Sequence, residues 1–238
     1  MSDEYFKLPR LHTTSDLKSG SEINLSKEQT HYLANVLRRN INDQIRLFNG
    51  KDGEWLAELV QINKKNALAH LTKQLQSQPQ TARKIHLVFT PIKKQRMDWL
   101  IEKAVELGVT DFHPILTQNT EVRKIKEERL EIQIFEAAEQ CERLSIPVLH
   151  DLLKLEKFLE KGLGNTQILA CLERFETKPL KDLDIAPTAD IAFLIGPEGG
   201  FTKEEKKFIA KNSTAVGLGD TILRCETAVV KALCLINP

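Results

Sequence analysis

The feature that most constrains this chain is the stretch IAFLIGPEGGFTKEEKKFI, Ile191 to Ile209. Five apolar residues run without a break into Gly196-Pro197-Glu198-Gly199-Gly200, and Thr202-x-x-Glu205 then opens a charged segment. An unbroken apolar run of this length suits a strand buried on both faces, as in a parallel sheet covered by helices. Threonine followed three residues later by glutamate is a capping box, so the spacing predicts a helix starting just after Thr202. Strand, glycine-rich turn and helix is also how many phosphate sites are built. This loop lacks the Gly-Lys-Ser/Thr ending of a phosphate loop, is not G-x-G-x-x-G, and carries Glu198 where a carboxylate would repel an anion. A phosphate is therefore excluded; a flat or neutral ligand, or a plain strand-to-helix turn, is not.

The rest of the second half alternates in the same way. IHLVFTPI, DFHPIL and QILACLE read as strands. KKQRMDWLIEKAVEL places Met97, Leu100, Ile101, Ala104 and Val105 at helical spacing, and EERLEIQIFEAAEQCERL reads as a further helix. Such alternation predicts an α/β domain with a mainly parallel sheet. The first part differs: SEINL, DQIRLFNG, EWLAELVQIN and ALAHLT are short strand-like pieces, with Asn49-Gly50 and Asp52-Gly53 as turn signals, and KEQTHYLANVLRR is one helix-like interruption. This predicts a small β-barrel. Between the halves lies QLQSQPQTARK, polar and without hydrophobic period. The expected organisation is a barrel over 1–74, a linker over 75–84 and an α/β domain over 85–238.

With 41% hydrophobic and 28% charged residues in 238, the composition is that of a globular protein. No apolar run reaches the roughly 20 residues of a membrane span, and MSDEYFKLPR has no apolar leader core; a cytoplasmic protein without membrane contact is expected. Cys141, Cys171, Cys225 and Cys234 form no C-x-x-C and no metal-ligand spacing. They are expected to be reduced core side chains, and no metal is expected. The net charge of +1 conceals +5 over residues 1–130 and −4 over 131–238. A basic front half suits a polyanion on that side.

A second unusual stretch is AVGLGDTILRCETAVVKALCLI, Ala215 to Ile236. Glu226-Thr227 starts an apolar final helix, where an acid in the first turn favours the dipole. Arg224, between a strand-like run and that helix, has no evident scaffolding role.

Together, LIGPEGGFTKEE and LGDTILRCETAVVKAL closely resemble the small-subunit rRNA methyltransferase E family, of the SPOUT class of knotted methyltransferases. HYLANVLRRNINDQIRLFNGKDGEW resembles that family's PUA-like barrel, and KKQRMDWLIEKAVELGVTDFHPI and EAAEQCERLSIP its middle motifs. The resemblance implies a SPOUT α/β domain ending in a trefoil knot, preceded by a PUA-like β-barrel. It implies methylation of N3 of a uridine in 16S rRNA, with S-adenosylmethionine as cofactor, the assembled small ribosomal subunit as substrate and a homodimer as the working form. Carried over residue by residue, it places the cofactor on Leu172, Ile195, Gly196, Gly200, Leu218, Ile222 and Leu223. Arg224 is implied to hold the uracil carbonyls or the target phosphate, and Glu226 to position Arg224 or to take the N3 proton; Glu226 is equally compatible with a plain helix-start acid. RNA contacts are implied for Arg10, Arg38, Arg39, Gln140 and Arg143. Other SPOUT enzymes, which methylate a ribose hydroxyl, carry a Ser-Leu-Asn type stretch where this chain has Ile222-Leu223-Arg224-x-Glu226-Thr227. Two alternatives stay open at this point: a related enzyme acting on tRNA or on a ribose, and a non-enzymatic assembly factor with a vestigial pocket.

Overall fold

The computed structural model of the chain describes residues 5–80 and 83–236, so residues 81 and 82 of the expected linker lie outside the described residues. The chain divides into two compact units: residues 1–80 with 138–146, and residues 81–137 with 147–238.

The first unit is a five-stranded sheet. β1 (Arg10–His12), β2 (Glu22–Asn24), β3 (Gln44–Phe48), β4 (Glu54–Ile62) and β5 (Ala67–Gln76) are ordered β1-β3-β4-β5-β2. β3, β4 and β5 pair antiparallel in sequence order. Leu33, Ile45, Leu47, Ala57, Leu59, Ala69 and Leu71 are fully buried in its core. The turn between β3 and β4 is built as its sequence suggests: Asn49 Oδ1 accepts from the backbone N–H groups of Lys51 and Asp52. Gly53 follows at φ +79°, and a Cβ there would lie 2.1 Å from the Gln76 carbonyl oxygen, so no other residue fits. β1 is not evident from the sequence, since three residues carry too little period. β5 runs to Gln76, two residues into the stretch expected to be linker, because pairing with β4 gives this polar segment backbone partners.

The helix-like segment is shorter than its pattern suggests. α1 (Lys27–His31) is capped by Ser26 and Gln29 in a capping box, passes into a π-helical turn at Tyr32–Val36 and stops there. Arg38 stands outside it at φ +53°, so Arg38 and Arg39 do not complete a helical last turn.

Buried charge organises this unit. Arg10 Nε is 2.5 Å from Glu54 Oε1, Arg46 Nη1 is 3.5 Å from the same oxygen, and all three side chains are nearly inaccessible. Arg10 also lies 3.6 Å above the Phe48 ring and donates to the carbonyls of Ala138 and Arg143, while Arg46 Nη2 bonds Glu142. These bonds tie residues 138–146 to the first unit. Burial lowers the Arg10 pKa, partly offset by Glu54.

The second unit is built on a parallel sheet. Its strands are β6 (Ile85–Phe89), β7 (Asp111–Leu116), β8 (Val148–Leu149), β9 (Leu153–Lys154), β10 (Gln167–Cys171), β11 (Lys178–Pro179), β12 (Ile191–Ile195) and β13 (Thr214–Gly217). The order is β11-β13-β10-β12-β6-β7-β8, with β9 beside β7, and every pair is parallel. β6 and β12 are buried at every position, as unbroken apolar runs require. The helices are α2 (Lys94–Glu106), α3 (Glu127–Gln140), α4 (Leu155–Lys161), α5 (Lys203–Asn212) and α6 (Cys225–Ile236). The apolar face expected for α2 is the buried one: Met97, Leu100, Ile101, Ala104 and Val105. Among the described residues no helix is long and apolar enough to cross a membrane. The cysteines are free; only Cys225 is fully buried and Cys234 is exposed, which corrects the expectation that all four are core side chains.

Glu54 neutralises two buried guanidinium groups, and removing one member of a buried ion pair costs about 3–5 kcal/mol. Glu54→Gln is therefore expected to lower unfolding stability by roughly 3 kcal/mol in a urea titration, whereas Glu28→Gln, on the exposed face of α1, is expected to change it little.

Candidate functional site at the ends of three parallel strands

β10 lies between β12 and β13, with Cys171 opposite Ile195 on one side and Val216 on the other. The three strands therefore end at one level and release three loops side by side, over 172–177, 196–202 and 217–224. In open α/β sheets the carboxyl ends of the strands are where ligands are held. Here they enclose a cavity of about 840 Å³.

The middle loop has a defined shape for physical reasons. Gly196 has no room for a side chain: a Cβ would stand 2.6 Å from the Phe201 ring. Gly200 sits at φ +68°, which disfavours any L side chain. Asn119 Nδ2 donates to the carbonyls of Gly199 and Gly200 and holds the turn from outside. At the loop's end the capping box is formed: Thr202 Oγ1 accepts from the Glu205 amide, and Glu205 Oε2 accepts from the Thr202 amide. Glu205 is 8% exposed, and its other oxygen accepts from the Gln118 amide, so this one side chain secures two chain segments.

The cavity is lined by Leu172, Ile195, Gly196, Gly200, Leu218, Ile222, Leu223 and Arg224 together. These residues span more than fifty positions of sequence, and the strand order brings them to one place. Arg224 is exposed at the cavity and makes no side-chain hydrogen bond or ion pair among the described residues. Arg174 and Lys206 line the same cavity, and Lys206 Nζ donates to the Glu173 carbonyl at 2.6 Å.

Behind this wall is a charged cluster. Arg96 of α2 donates to Glu198 at 3.2 Å and lies 3.9 Å from Glu226 Oε1. Glu226 Oε2 is buried with no hydrogen-bond partner among the described residues. Cys225 Sγ donates to the Gly196 carbonyl at 2.9 Å, linking the start of α6 to the glycine loop. Burial, reinforced by the carboxylates of Glu198 and Glu226, pushes the Cys225 thiol up to about 12. It is a structural donor, not a nucleophile. In the sequence Arg96 reads as one of several solvated helix charges; only the packing of α2 against α6 reveals its two carboxylate partners.

The residues expected to touch RNA lie in the first unit and are placed unequally. Arg10 is 8% exposed and its donors are committed inward to Glu54, Ala138 and Arg143. Arg38 and Gln140 are exposed. Arg39 is half-buried with its Nε unpaired, and half-buried Arg143 donates to Ser145 Oγ at 2.8 Å.

Residues 79–237 match the family model of an RNA methyltransferase domain, and residues 25–72 that of an RNA methyltransferase PUA domain. The ribosomal RNA small subunit methyltransferase E of Rickettsia conorii is 36% identical over 231 residues, 95% of this chain and 94% of the relative. The chain belongs to the ribosomal RNA small subunit methyltransferase E family. Its member from Bacillus subtilis is 26% identical over 240 residues, 94% of this chain and 93% of its own. Among solved structures, a Neisseria gonorrhoeae ribosomal RNA small subunit methyltransferase E bound to S-adenosyl methionine matches with a TM-score of 0.87 and 30% identity over 97% of both chains. A Legionella pneumophila methyltransferase in complex with the same cofactor matches with a TM-score of 0.88 and 29% identity, also over 97% of both chains.

The contact between Gly196 and Phe201 makes a specific prediction. Gly196→Ala is expected to cost about 1–3 kcal/mol through overpacking, read by thermal unfolding. Adding Phe201→Ala should recover part of that loss. If the two substitutions simply add, the contact does not set the loop.

Proposed function

We propose that this chain uses S-adenosylmethionine to methylate N3 of a uridine in 16S rRNA, with the assembled small ribosomal subunit as substrate. The observation that carries the reading is the cavity at the ends of β10, β12 and β13. Its walls supply apolar side chains and glycine backbone, its middle loop contains an acid and no lysine, and cations stand around it at Arg174, Lys206 and Arg224. This set fits the cofactor: purine rings favour apolar walls with a few backbone hydrogen bonds, and Glu198 in the wall suits a cation and opposes a phosphate. Leu172, Ile195, Gly196, Gly200, Leu218, Ile222 and Leu223 would hold it. When bound, S-adenosylmethionine supplies a methyl group activated by a sulfonium centre.

The chain's own residues have three tasks. The base must be out of any pairing, since N3 lies on its pairing edge; the exposed Ile222 and the cations of the cavity wall offer a surface for it. As the N3 proton leaves, negative charge spreads to the uracil carbonyl oxygens. Arg224, a permanent cation with fixed donors and no side-chain partner among the described residues, is placed to hold that charge. Glu226 is the positioning acid or the proton acceptor, and Arg96 holds Glu226 and Glu198 in place. Arg38, Arg39, Gln140 and Arg143 are retained as RNA contacts, and Arg10 is not.

Two further parts belong to the same reading. The chain end is proposed to form a trefoil knot. Supporting this, β13 lies on one side of β10, whereas α6 after it packs on α2 and on β12, which lies on the other side. The protein is also proposed to act as a homodimer, for which light scattering should give twice the mass of the chain; a monomer mass at working concentration contradicts it. For the site itself, titration calorimetry should give Arg224→Ala the cofactor affinity of the parent. Its methyl transfer to small subunits should fall by about 10²-fold or more. Loss of cofactor binding with the fold intact would overturn the role given to Arg224.

A further inference from the structure

Away from the cofactor cavity, strand pairing assembles a second group of chemically capable side chains. His86 of β6 and Asp111 of β7 are direct partners across the parallel pair, and His113 follows two residues on. Alternation along a strand puts Asp111 and His113 on one face of the sheet. All three side chains are buried, at 6%, 6% and 8% exposure. Each presents one ligand atom, and these atoms lie within 4.8 Å of one another. His86 Nδ1 is 3.0 Å from His113 Nε2 and 3.8 Å from Asp111 Oδ2. Around a tetrahedral zinc with bonds of about 2.0–2.1 Å, ligand atoms stand roughly 3.3 Å apart. These two separations lie below and above that value, and the third lies within 4.8 Å.

Neighbouring side chains hold Asp111 and His113 in place. His150 Nε2 lies 2.8 Å from Asp111 Oδ1, and Thr110 Oγ1 donates to Asp111 Oδ2 at 2.8 Å. Ligating carboxylates are commonly oriented by such outer hydrogen bonds. The His150 ring stacks on that of His113 at 4.1 Å and 7°, and Phe158 packs on His113 at 5.5 Å. Burial, with the neighbouring His150 and His86, drives the His113 pKa down to about 3, and burial also lowers that of His86. Burial opposes ionisation of Asp111, but hydrogen bonds from His150 and Thr110 outweigh it and hold its pKa below the usual value. The cluster thus offers two imidazole nitrogens and a carboxylate oxygen as donors.

We propose that His86, Asp111 and His113 form a three-ligand site for a divalent transition metal of the zinc class. Nitrogen and carboxylate donors in a compact set favour zinc over magnesium or calcium. A hydrogen bond between the two imidazoles would also satisfy their nitrogens. The metal would replace that hydrogen bond and draw in Asp111 as the third donor. The cluster sits at the amino-terminal ends of β6 and β7, whereas the methyl-transfer cavity sits at the carboxyl-terminal ends of β10, β12 and β13. The metal is therefore structural: it clamps β6 to β7 and takes no part in methyl transfer.

The test uses the untagged full-length protein, stripped with chelator and desalted. Zinc chloride titration by calorimetry should give one equivalent per chain, and cobalt should give the visible absorption of a tetrahedral site. Asp111→Asn and His113→Gln, checked for folding by circular dichroism, should weaken binding by at least ~10-fold. His31→Gln, on the exposed surface, should not. Absence of stoichiometric binding, an octahedral cobalt spectrum, or unchanged affinity in Asp111→Asn would overturn the proposal. If neither variant folds, the cobalt spectrum of the parent decides alone.

Discussion

The candidate site depends on one constraint, the parallel pairing of β10 with β12 and β13 at once. The register sets Cys171 level with both Ile195 and Val216. Three loops far apart in sequence must therefore leave the sheet at the same height. The unbroken burial of β12, and of β6 beside it, makes this possible, because only a sheet covered on both faces accepts such apolar strands. A shift of register by one residue would turn every side chain to the opposite face and separate the loops.

Charged groups then fix what packing alone leaves free. Arg96 joins Glu198 of the glycine loop to Glu226 of the last helix, and the Cys225 thiol bonds the Gly196 carbonyl. Two independent links thus tie the start of α6 to the middle loop. In the other unit Glu54 lies between Arg10 and Arg46 and so fixes the segment 138–146. Buried pairs of this kind are costly to form and costlier to break, and they explain why residues with the look of surface cations serve as scaffold.

Sequence reasoning succeeded where a signal is local. The apolar runs of β6 and β12, the buried face of α2, the capping box at Thr202 and the turn at Asn49 all depend on neighbours a few residues apart. The grouping of Leu172, Ile195, Gly200 and Leu223 came only from family resemblance, because residues from three loops share no period. The inward commitment of Arg10 is hidden for a related reason: nothing near it in sequence announces Glu54, forty-four positions on. Arg96 and the His86, Asp111 and His113 cluster were invisible for the same reason. The π-helical turn at Tyr32 broke a pattern that reads as continuous helix.

The central claim is that the cavity at the ends of β10, β12 and β13 serves methyl transfer to one uridine of 16S rRNA. The most direct test offers labelled S-adenosylmethionine with small ribosomal subunits, naked 16S rRNA and tRNA in parallel, followed by nucleoside analysis of the product. The account predicts label in 3-methyluridine, recovered from the small subunit in preference to the naked RNA. Label on tRNA, on a ribose, or on no RNA at all while the cofactor still binds would contradict it.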